Sequence, residues 1–340
     1  MSCFVIAEAG VNHNGDIELA KDLVYAASEA GADAVKFQTF KADTLVTKTA
    51  EKAQYQKLNS SNSSTQYEML QALELTEDHH YILNELASSL NIEFMSTGFD
   101  EQTIDFLVSL GVKRLKIPSG EITNIPYLKH IAKKGLPTIM STGMSTLDEV
   151  KVAIEIFREF YGDRVEDNLV LLHCTSNYPA AFKDVNLRAM STLANEFNIP
   201  VGYSDHTLGV LIPILSIGMG ACVIEKHYTL DKTLVGPDHA ASMNPNELKQ
   251  MVQMIRDAES ALGNGEKKPA DNELIIRSLV RRSVTLKTAL KKGTKIAKDD
   301  LIILRPGTGI SPGDFEKVIG ATLKQSLSEG TTLLWDHIQG

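Results

Sequence analysis

Pro200-Val201-Gly202-Tyr203-Ser204-Asp205-His206-Thr207, followed after an apolar segment by Ala221-Cys222-Val223-Ile224-Glu225-Lys226-His227-Tyr228-Thr229, is the stretch on which the fold turns. Val201–Tyr203 and Cys222–Glu225 read as short buried strands, and Val210–Gly218 between them is long enough for a couple of helical turns. Two strands joined by a helical crossover form a βαβ unit, so their C-terminal ends point the same way. His206 and His227 then each lie just past a strand end, beside acidic residues. Two imidazoles converging on one rim are one way to hold a metal ion. Two capping or hydrogen-bonded histidines are the other reading, and these residues alone leave both open.

The same unit repeats toward the N-terminus. Further apolar runs are Phe4–Ala9, Ala34–Phe40, Ile92–Ser96, Arg114–Ile117, Pro137–Ser141 and Leu169–Cys174, which brings the strand count to eight. Helical periodicity separates them, as in Leu19, Leu23, Ala26, Ala27 and Ala30 before the stop at Gly31. Thr146 with Glu149 three residues on is a capping box, and Glu247–Leu262 is an amphipathic helix ended by Gly263. Eightfold strand–helix alternation predicts a (β/α)8 barrel over residues 1–262, with an open doubly wound sheet as the alternative. A polar, Ser/Asn-rich loop is expected at 54–64, and residues 263–280 read as a charged linker. From 281 to 340 the texture changes to short β-like pieces, Ser283–Leu286 and Leu301–Leu304, among frequent glycines. That is a small β-rich domain near the lower size limit for independent folding.

Composition narrows the class. The chain has 340 residues, 43% of them hydrophobic, a net charge of −9 and a pI near 5.5, which argues against binding a phosphate backbone. No window of about 18 uninterrupted apolar residues is present, so no membrane span is expected. The N-terminus enters Phe4-Val5-Ile6-Ala7 without a basic leader, and Cys3, Cys174 and Cys222 sit in apolar runs. Together these point to a cytoplasmic protein with buried free thiols.

A barrel carries its reactive groups at the C-terminal strand ends. Those ends supply Glu8, Lys36 and Gln38, Thr97, Lys116-Ile117-Pro118-Ser119-Gly120-Glu121, Ser141-Thr142-Gly143, and His173 through Pro179 with Ser176 and Tyr178. The last two supply His206 and His227. Lys36 in an otherwise apolar strand calls for an anion, either a structural carboxylate or a ligand. Two lysines with several hydroxyls suit a phosphorylated, anionic substrate, and the histidines suit a divalent cation. His79 and His80, at a polar helix start, read as solvated.

At this point the chain resembles the phosphoenolpyruvate-condensing sialic acid synthases, including the legionaminate and pseudaminate synthases. The resemblance rests on Ala7-Glu8-Ala9-Gly10-Val11-Asn12-His13-Asn14-Gly15, Val35-Lys36-Phe37-Gln38-Thr39, Lys116 through Glu121, Ser141-Thr142-Gly143-Met144, Tyr203 through Thr207, Glu225-Lys226-His227 and Gly236-Pro237-Asp238. Leu304-Arg305-Pro306-Gly307-Thr308-Gly309-Ile310-Ser311 is similar to the family's C-terminal antifreeze-like β-clip domain. The resemblance implies condensation of phosphoenolpyruvate with an N-acetylated mannose-type sugar to a nine-carbon α-keto acid and phosphate, with C–O cleavage. It implies phosphoenolpyruvate contacts from Lys36, Thr97, Lys116, Ser119, Ser141, Ser176 and Ser204, and sugar contacts from Glu8, Gln38, Glu121, Tyr178 and Asp238. It places a metal, Mn2+ first with Mg2+ or Co2+ as alternatives, on His206 and His227, and gives proton transfer to Glu8 or Glu121. It also implies a homodimer with swapped C-terminal domains, in which Arg305 reaches the partner's sugar.

Gly98 stands where the family commonly has proline, and Ser176 where some neuraminate synthases have asparagine. Ser-Gly-Glu-Ile-Thr-Asn at 119–124 is shared with legionaminate synthases. N-acetylmannosamine is the expected sugar, with a 2,4-diacetamido-2,4,6-trideoxymannose as the alternative. A metal-dependent barrel aldolase, and a sugar- or ice-binding protein acting through its tail, are the competing functions.

Overall fold

The computed structural model describes residues 2–59 and 65–340, and the chain divides into two compact units, Met1–Gly263 and Asn264–Gly340. In the first unit eight parallel strands close into a barrel. They are β1 (Phe4–Gly10), β2 (Ala34–Thr39), β3 (Glu93–Gly98), β4 (Leu115–Ile117), β5 (Thr138–Ser141), β6 (Leu169–Cys174), β7 (Val201–Asp205) and β8 (Val223–His227). β8 pairs back onto β1 with Glu8 opposite His227, which completes the ring. Helices follow the strands, among them Ile17–Glu29, Glu77–Ser89, Leu147–Tyr161 and Pro245–Leu262. Their starts are set locally: Thr146 and Asn244 form capping boxes with Glu149 and Glu247.

Strand alternation positions the site. Ile6, Ala34, Met95, Ile139, Leu172 and Val223 meet in one buried cluster. Gly202 makes room for it: a Cβ there would lie 2.6 Å from Leu172 Cδ2 and 2.3 Å from the Val223 carbonyl oxygen. Two residues further along the same strands stand Glu8, Lys36, Thr97, Ser141, Cys174 and Glu225. With a side-chain period of two, these share the face of the apolar cluster and form the next rung above it. The larger core, including Leu23, Leu83, Ile104, Leu128, Phe157 and Leu248, lies between strands and helices.

Several expectations need correction. β3, β7 and β8 run further than their apolar stretches, through Gly98, Asp205 and His227, so His227 is inside its strand rather than beyond it. Parallel pairing uses the main chain, and polar side chains at strand ends do not interrupt it. The expected loop at 54–64 contains a helix, Gln54–Asn59, and residues 60–64 lie outside the described residues. His80 is not solvated: it is 1% exposed, with Nε2 2.8 Å from Thr39 Oγ1 and Nδ1 2.8 Å from the Thr76 carbonyl. The helix buries it because position 80 shares a face with Leu83 and Ala87, while His79 closes a capping box with Thr76.

The second unit has its own core around Val284, Leu286, Leu301, Ile310, Leu323 and Leu333. β9 (Ser283–Leu286) pairs antiparallel with β10 (Leu301–Leu304), and β11 (Thr322–Leu323) with β12 (Ile338–Gln339). The segment read as a linker contains a helix, Asp271–Val280, which exposes Leu274, Ile275, Ile276 and Leu279. Its start is fixed by Glu273, whose carboxylate accepts from the Ala270 N–H, a short-range signal hidden in a charged stretch. Among the described residues no helix is long and apolar enough to cross a membrane.

Candidate active site

The rung above the apolar cluster holds four buried ionisable side chains, Glu8, Lys36, Lys116 and Glu225. Lys36 Nζ is 2.6 Å from Glu8 Oε2 and 3.6 Å from Glu225 Oε2, while Lys116 Nζ is 3.4 Å from Glu225 Oε1. Each lysine also donates to a hydroxyl, Lys36 to Thr97 at 2.9 Å and Lys116 to Ser141 at 2.8 Å. Ser204 donates to Glu225 Oε1 at 3.0 Å. Both lysines are 3% exposed, so the low surrounding dielectric strengthens every charge interaction they make.

The two carboxyls differ in their hold on a proton. Burial pushes Glu8 up to about 7, with Lys36 opposing and Glu225 adding to the rise. Burial also works upward on Glu225, but Lys116 and Lys36 overcome it and hold this carboxyl well below the usual range. Of the pair, Glu8 takes a proton first. Gln38 donates to Glu8 Oε1 at 3.4 Å, and the backbone leaves the rung at Gly10, where φ is +55°. A Cβ at Gly10 would lie 3.4 Å from both Glu8 Oε1 and His227 Cε1, so this turn brings the first strand against the eighth.

A second cluster forms where β5 and β6 end. The Gly143 N–H donates to Ser119 Oγ at 3.0 Å, and Ser119 Oγ lies 3.2 Å from Cys174 Sγ. A Cβ at position 143 would meet Ser176 Oγ at 2.4 Å and both Cys174 Sγ and Ser119 Oγ at 2.8 Å. Only glycine leaves this hydroxyl-lined hollow open. A cavity of about 630 Å³ adjoins it, bordered by Thr142, Cys174, Thr175 and Ser176.

The third cluster is aromatic. His206 and His227 have ring centroids 5.6 Å apart, and the Tyr178 ring lies 4.1 Å from His206 and 5.6 Å from His227. His206 Nδ1 is 2.7 Å from the Thr175 carbonyl oxygen, which makes Nδ1 the protonated nitrogen and leaves the Nε2 lone pair available. His227 Nδ1 is buried without a hydrogen-bond partner, and Asp238 Oδ2 stands 3.9 Å from it. Burial lowers both imidazoles below their ordinary range, and for His227 the neighbouring His206 adds to the effect. Burial raises Asp238 to about 6. Neutral imidazoles and an orphaned ring nitrogen fit a divalent cation. Among the described residues no group of three His, Cys, Asp or Glu side chains is arranged to hold a metal ion, so the two imidazoles stand as an open pair.

The structure thus gathers Glu8, Lys36, Gln38, Thr97, Lys116, Ser119, Ser141, Ser176, Tyr178, Ser204, His206, His227 and Asp238 at one end of the barrel. Glu121, half-buried, accepts from Asn124 Nδ2 at 2.7 Å, and Arg305 is an exposed residue of the second unit. Gly98 does not loosen Thr97, which is held by Lys36, and a Cβ at 98 would press on Ile104 Cδ1 at 2.9 Å. Glu225 is the residue that reading the sequence missed. Its signal was present: counting by twos from Val223 places Glu225 and His227 on one face.

Residues 23–267 match the NeuB family model, and residues 281–339 match the SAF domain. The N,N'-diacetyllegionaminic acid synthase of Legionella pneumophila is 70% identical, across 100% of this chain and 95% of its own length. The enzyme of the same name from Campylobacter jejuni is 46% identical, across 96% of this chain and 97% of its own. Among solved structures, the N-acetylneuraminic acid synthetase of Leptospira borgpetersenii in complex with citrate superposes with a TM-score of 0.71 at 34% identity. That likeness covers 81% of this chain and 90% of the other. With its closed parallel barrel and C-terminal SAF domain, the chain belongs to the NeuB family of phosphoenolpyruvate-condensing nonulosonate synthases.

Proposed function

We propose that this protein is an N,N'-diacetyllegionaminic acid synthase, condensing phosphoenolpyruvate with 2,4-diacetamido-2,4,6-trideoxymannose. The observation that carries the choice of sugar is the 70% identity to the L. pneumophila synthase over the whole chain. N-acetylmannosamine, which the motifs alone favour, becomes the alternative.

In this reading C3 of phosphoenolpyruvate attacks the sugar aldehyde, water adds to C2, and collapse of that intermediate breaks the C2–O bond and releases phosphate. Lys36 and Lys116 supply positive charge for the phosphate and carboxylate, and Thr97, Ser119, Ser141, Ser176 and Ser204 supply hydroxyls. Glu8 retains a proton near neutral pH, which suits it to protonate the aldehyde oxygen as the C–C bond forms. The proton shed by the attacking water then returns to Glu8. Glu121, engaged with Asn124, is left to the sugar together with Gln38, Tyr178 and Asp238. His206 and His227 would hold a divalent cation, Mn2+ first and Mg2+ or Co2+ as alternatives. When bound, such an ion polarises the aldehyde as a Lewis acid.

A homodimer with swapped second units is supported by charge and by apolar surface. The first unit carries 34 Asp and Glu against 21 Lys and Arg, the second 9 against 13. The helix Asp271–Val280 exposes an apolar face. Arg305 of one copy then serves the sugar in the other's barrel. Mixing Arg305→Ala with His206→Ala is expected to restore about a quarter of the activity, since half of randomly exchanged dimers are hybrids with one intact site of two. No recovery would sink the swap. A cytoplasmic setting fits the three free cysteines.

The deciding experiment is phosphate release from phosphoenolpyruvate with Mn2+, offering the diacetamido sugar and N-acetylmannosamine in parallel, with EDTA controls. Release with the diacetamido sugar, abolished by EDTA, is expected. Release with N-acetylmannosamine alone would overturn the sugar, and release without any sugar would overturn condensation.

A further inference from the structure

A buried ion pair lies beside the two histidines and takes no part in the chemistry above. Strand alternation puts Ser204 and His206, with Glu225 and His227, toward the barrel interior, and puts Asp205 and Lys226 on the opposite face. Asp205 and Lys226 are partners in the β7–β8 ladder, and each is 1% exposed. Lys226 Nζ is 2.5 Å from Asp205 Oδ2 and also donates to the Thr207 carbonyl oxygen. Asp205 in turn accepts from the Thr207 N–H at 3.0 Å and from Thr207 Oγ1 at 3.1 Å.

These bonds close a loop around His206. The residues before and after it are both tied to Lys226, and Lys226 is the residue before His227. The backbone carrying one imidazole is thereby locked to the backbone carrying the other. The Thr175 carbonyl fixes the remaining freedom, the rotation of the His206 ring. An apolar pair of similar volume would serve stability as well as a buried ion pair does, so stability alone gives no reason for these charges. What they supply is directional: charged hydrogen bonds hold a geometry that packing alone would leave softer.

We propose that Asp205 and Lys226 are positioning residues that set the separation and aim of His206 and His227 for a divalent cation. The proposal rests on the reading of those histidines as the metal pair. It differs from it in predicting that metal affinity can be lost while every donor atom is still present. Outer residues of this kind typically change metal affinity 10- to 100-fold when removed.

The test uses the full-length protein and titrates Mn2+ by electron paramagnetic resonance, with phosphoenolpyruvate affinity measured separately by calorimetry in EDTA. Wild type is expected to bind Mn2+, and His206→Ala to abolish it. Wild type that binds no Mn2+, or binding that survives His206→Ala, overturns the metal reading and the proposal with it. Given that baseline, the double variant Asp205→Asn/Lys226→Met removes both charges while the amide oxygen introduced at position 205 still accepts from Thr207. It is expected to weaken Mn2+ binding at least tenfold, to alter the bound-Mn2+ spectrum, and to leave phosphoenolpyruvate affinity within twofold. Parallel loss of both affinities would indicate general loosening and overturn the positioning role, as would Mn2+ affinity within twofold of wild type. Thr207→Val, which deletes one bond and keeps both charges, decides the matter if the double variant does not fold. A two- to fivefold weakening of Mn2+ binding supports the clamp, and an unchanged affinity overturns it.

Discussion

Replacing Glu225 by glutamine removes one negative charge from between two buried lysines and leaves the shape of the site intact. Glu225 lies 3.6 Å from Lys36 Nζ and 3.4 Å from Lys116 Nζ. At an effective dielectric constant of about 20, each contact contributes about 5 kcal/mol of attraction, offset by several kcal/mol for taking the carboxylate out of water. Breaking such a buried arrangement from one side costs about 3–5 kcal/mol, because Lys116 loses its counter-charge and Lys36 is left with Glu8 alone. Lys116 can relieve part of that by shedding its proton, since burial already lowers its hold on it, which sets the lower end of the range. The melting temperature of the ligand-free variant is therefore expected to fall by roughly 5–15 °C. Phosphoenolpyruvate should restore much of the loss, because its phosphate and carboxylate replace the missing charge. The assay is thermal unfolding by circular dichroism with and without saturating phosphoenolpyruvate, sugar and metal being left out. The expected result is a ligand-induced rise larger in Glu225→Gln than in wild type. Equal rises in the two proteins, or a ligand-free variant melting within about 2 °C of wild type, would refute this charge balance.

Two further outcomes follow from the same geometry. Gly143→Ala drives a methyl group to within 2.4 Å of Ser176 Oγ and 2.8 Å of Ser119 Oγ; overpacking should cost about 1–3 kcal/mol of stability, and steady-state kinetics should show the KM for phosphoenolpyruvate rising at least tenfold against little change for the sugar. Glu8 is raised from 4.5 to about 7 in the folded protein, so the native state keeps a proton that the unfolded chain releases, and the stability contributed by this carboxyl falls as pH rises through that window. Glu8→Gln removes the dependence, and urea denaturation should find its advantage over wild type growing by about 2 kcal/mol between pH 5 and pH 8.

Much of this protein was legible along the chain because its determinants are local or periodic. Eight apolar runs alternating with amphipathic helices favour the barrel over an open doubly wound sheet, and the closed ring of β1 to β8 bears that out. Glu8, Lys36, Lys116, His206 and His227 could be named because polar side chains in or just after apolar strands have few other uses. The helix Asp271–Val280 stayed hidden because its apolar residues are exposed within its own unit and gave no core-facing signal. Which charges meet was a matter for the folded ring. Glu225 and Lys36 come from strands 189 residues apart in sequence, brought together by closure of β8 on β1 and the pairing of β1 with β2. The low dielectric of that closed interior then decides which carboxyl keeps its proton. The strands and the residue types at their ends were written in the order of the amino acids. The partner of each charge was settled by barrel closure, because charge pairing depends on distance through space and the chain specifies distance only along itself.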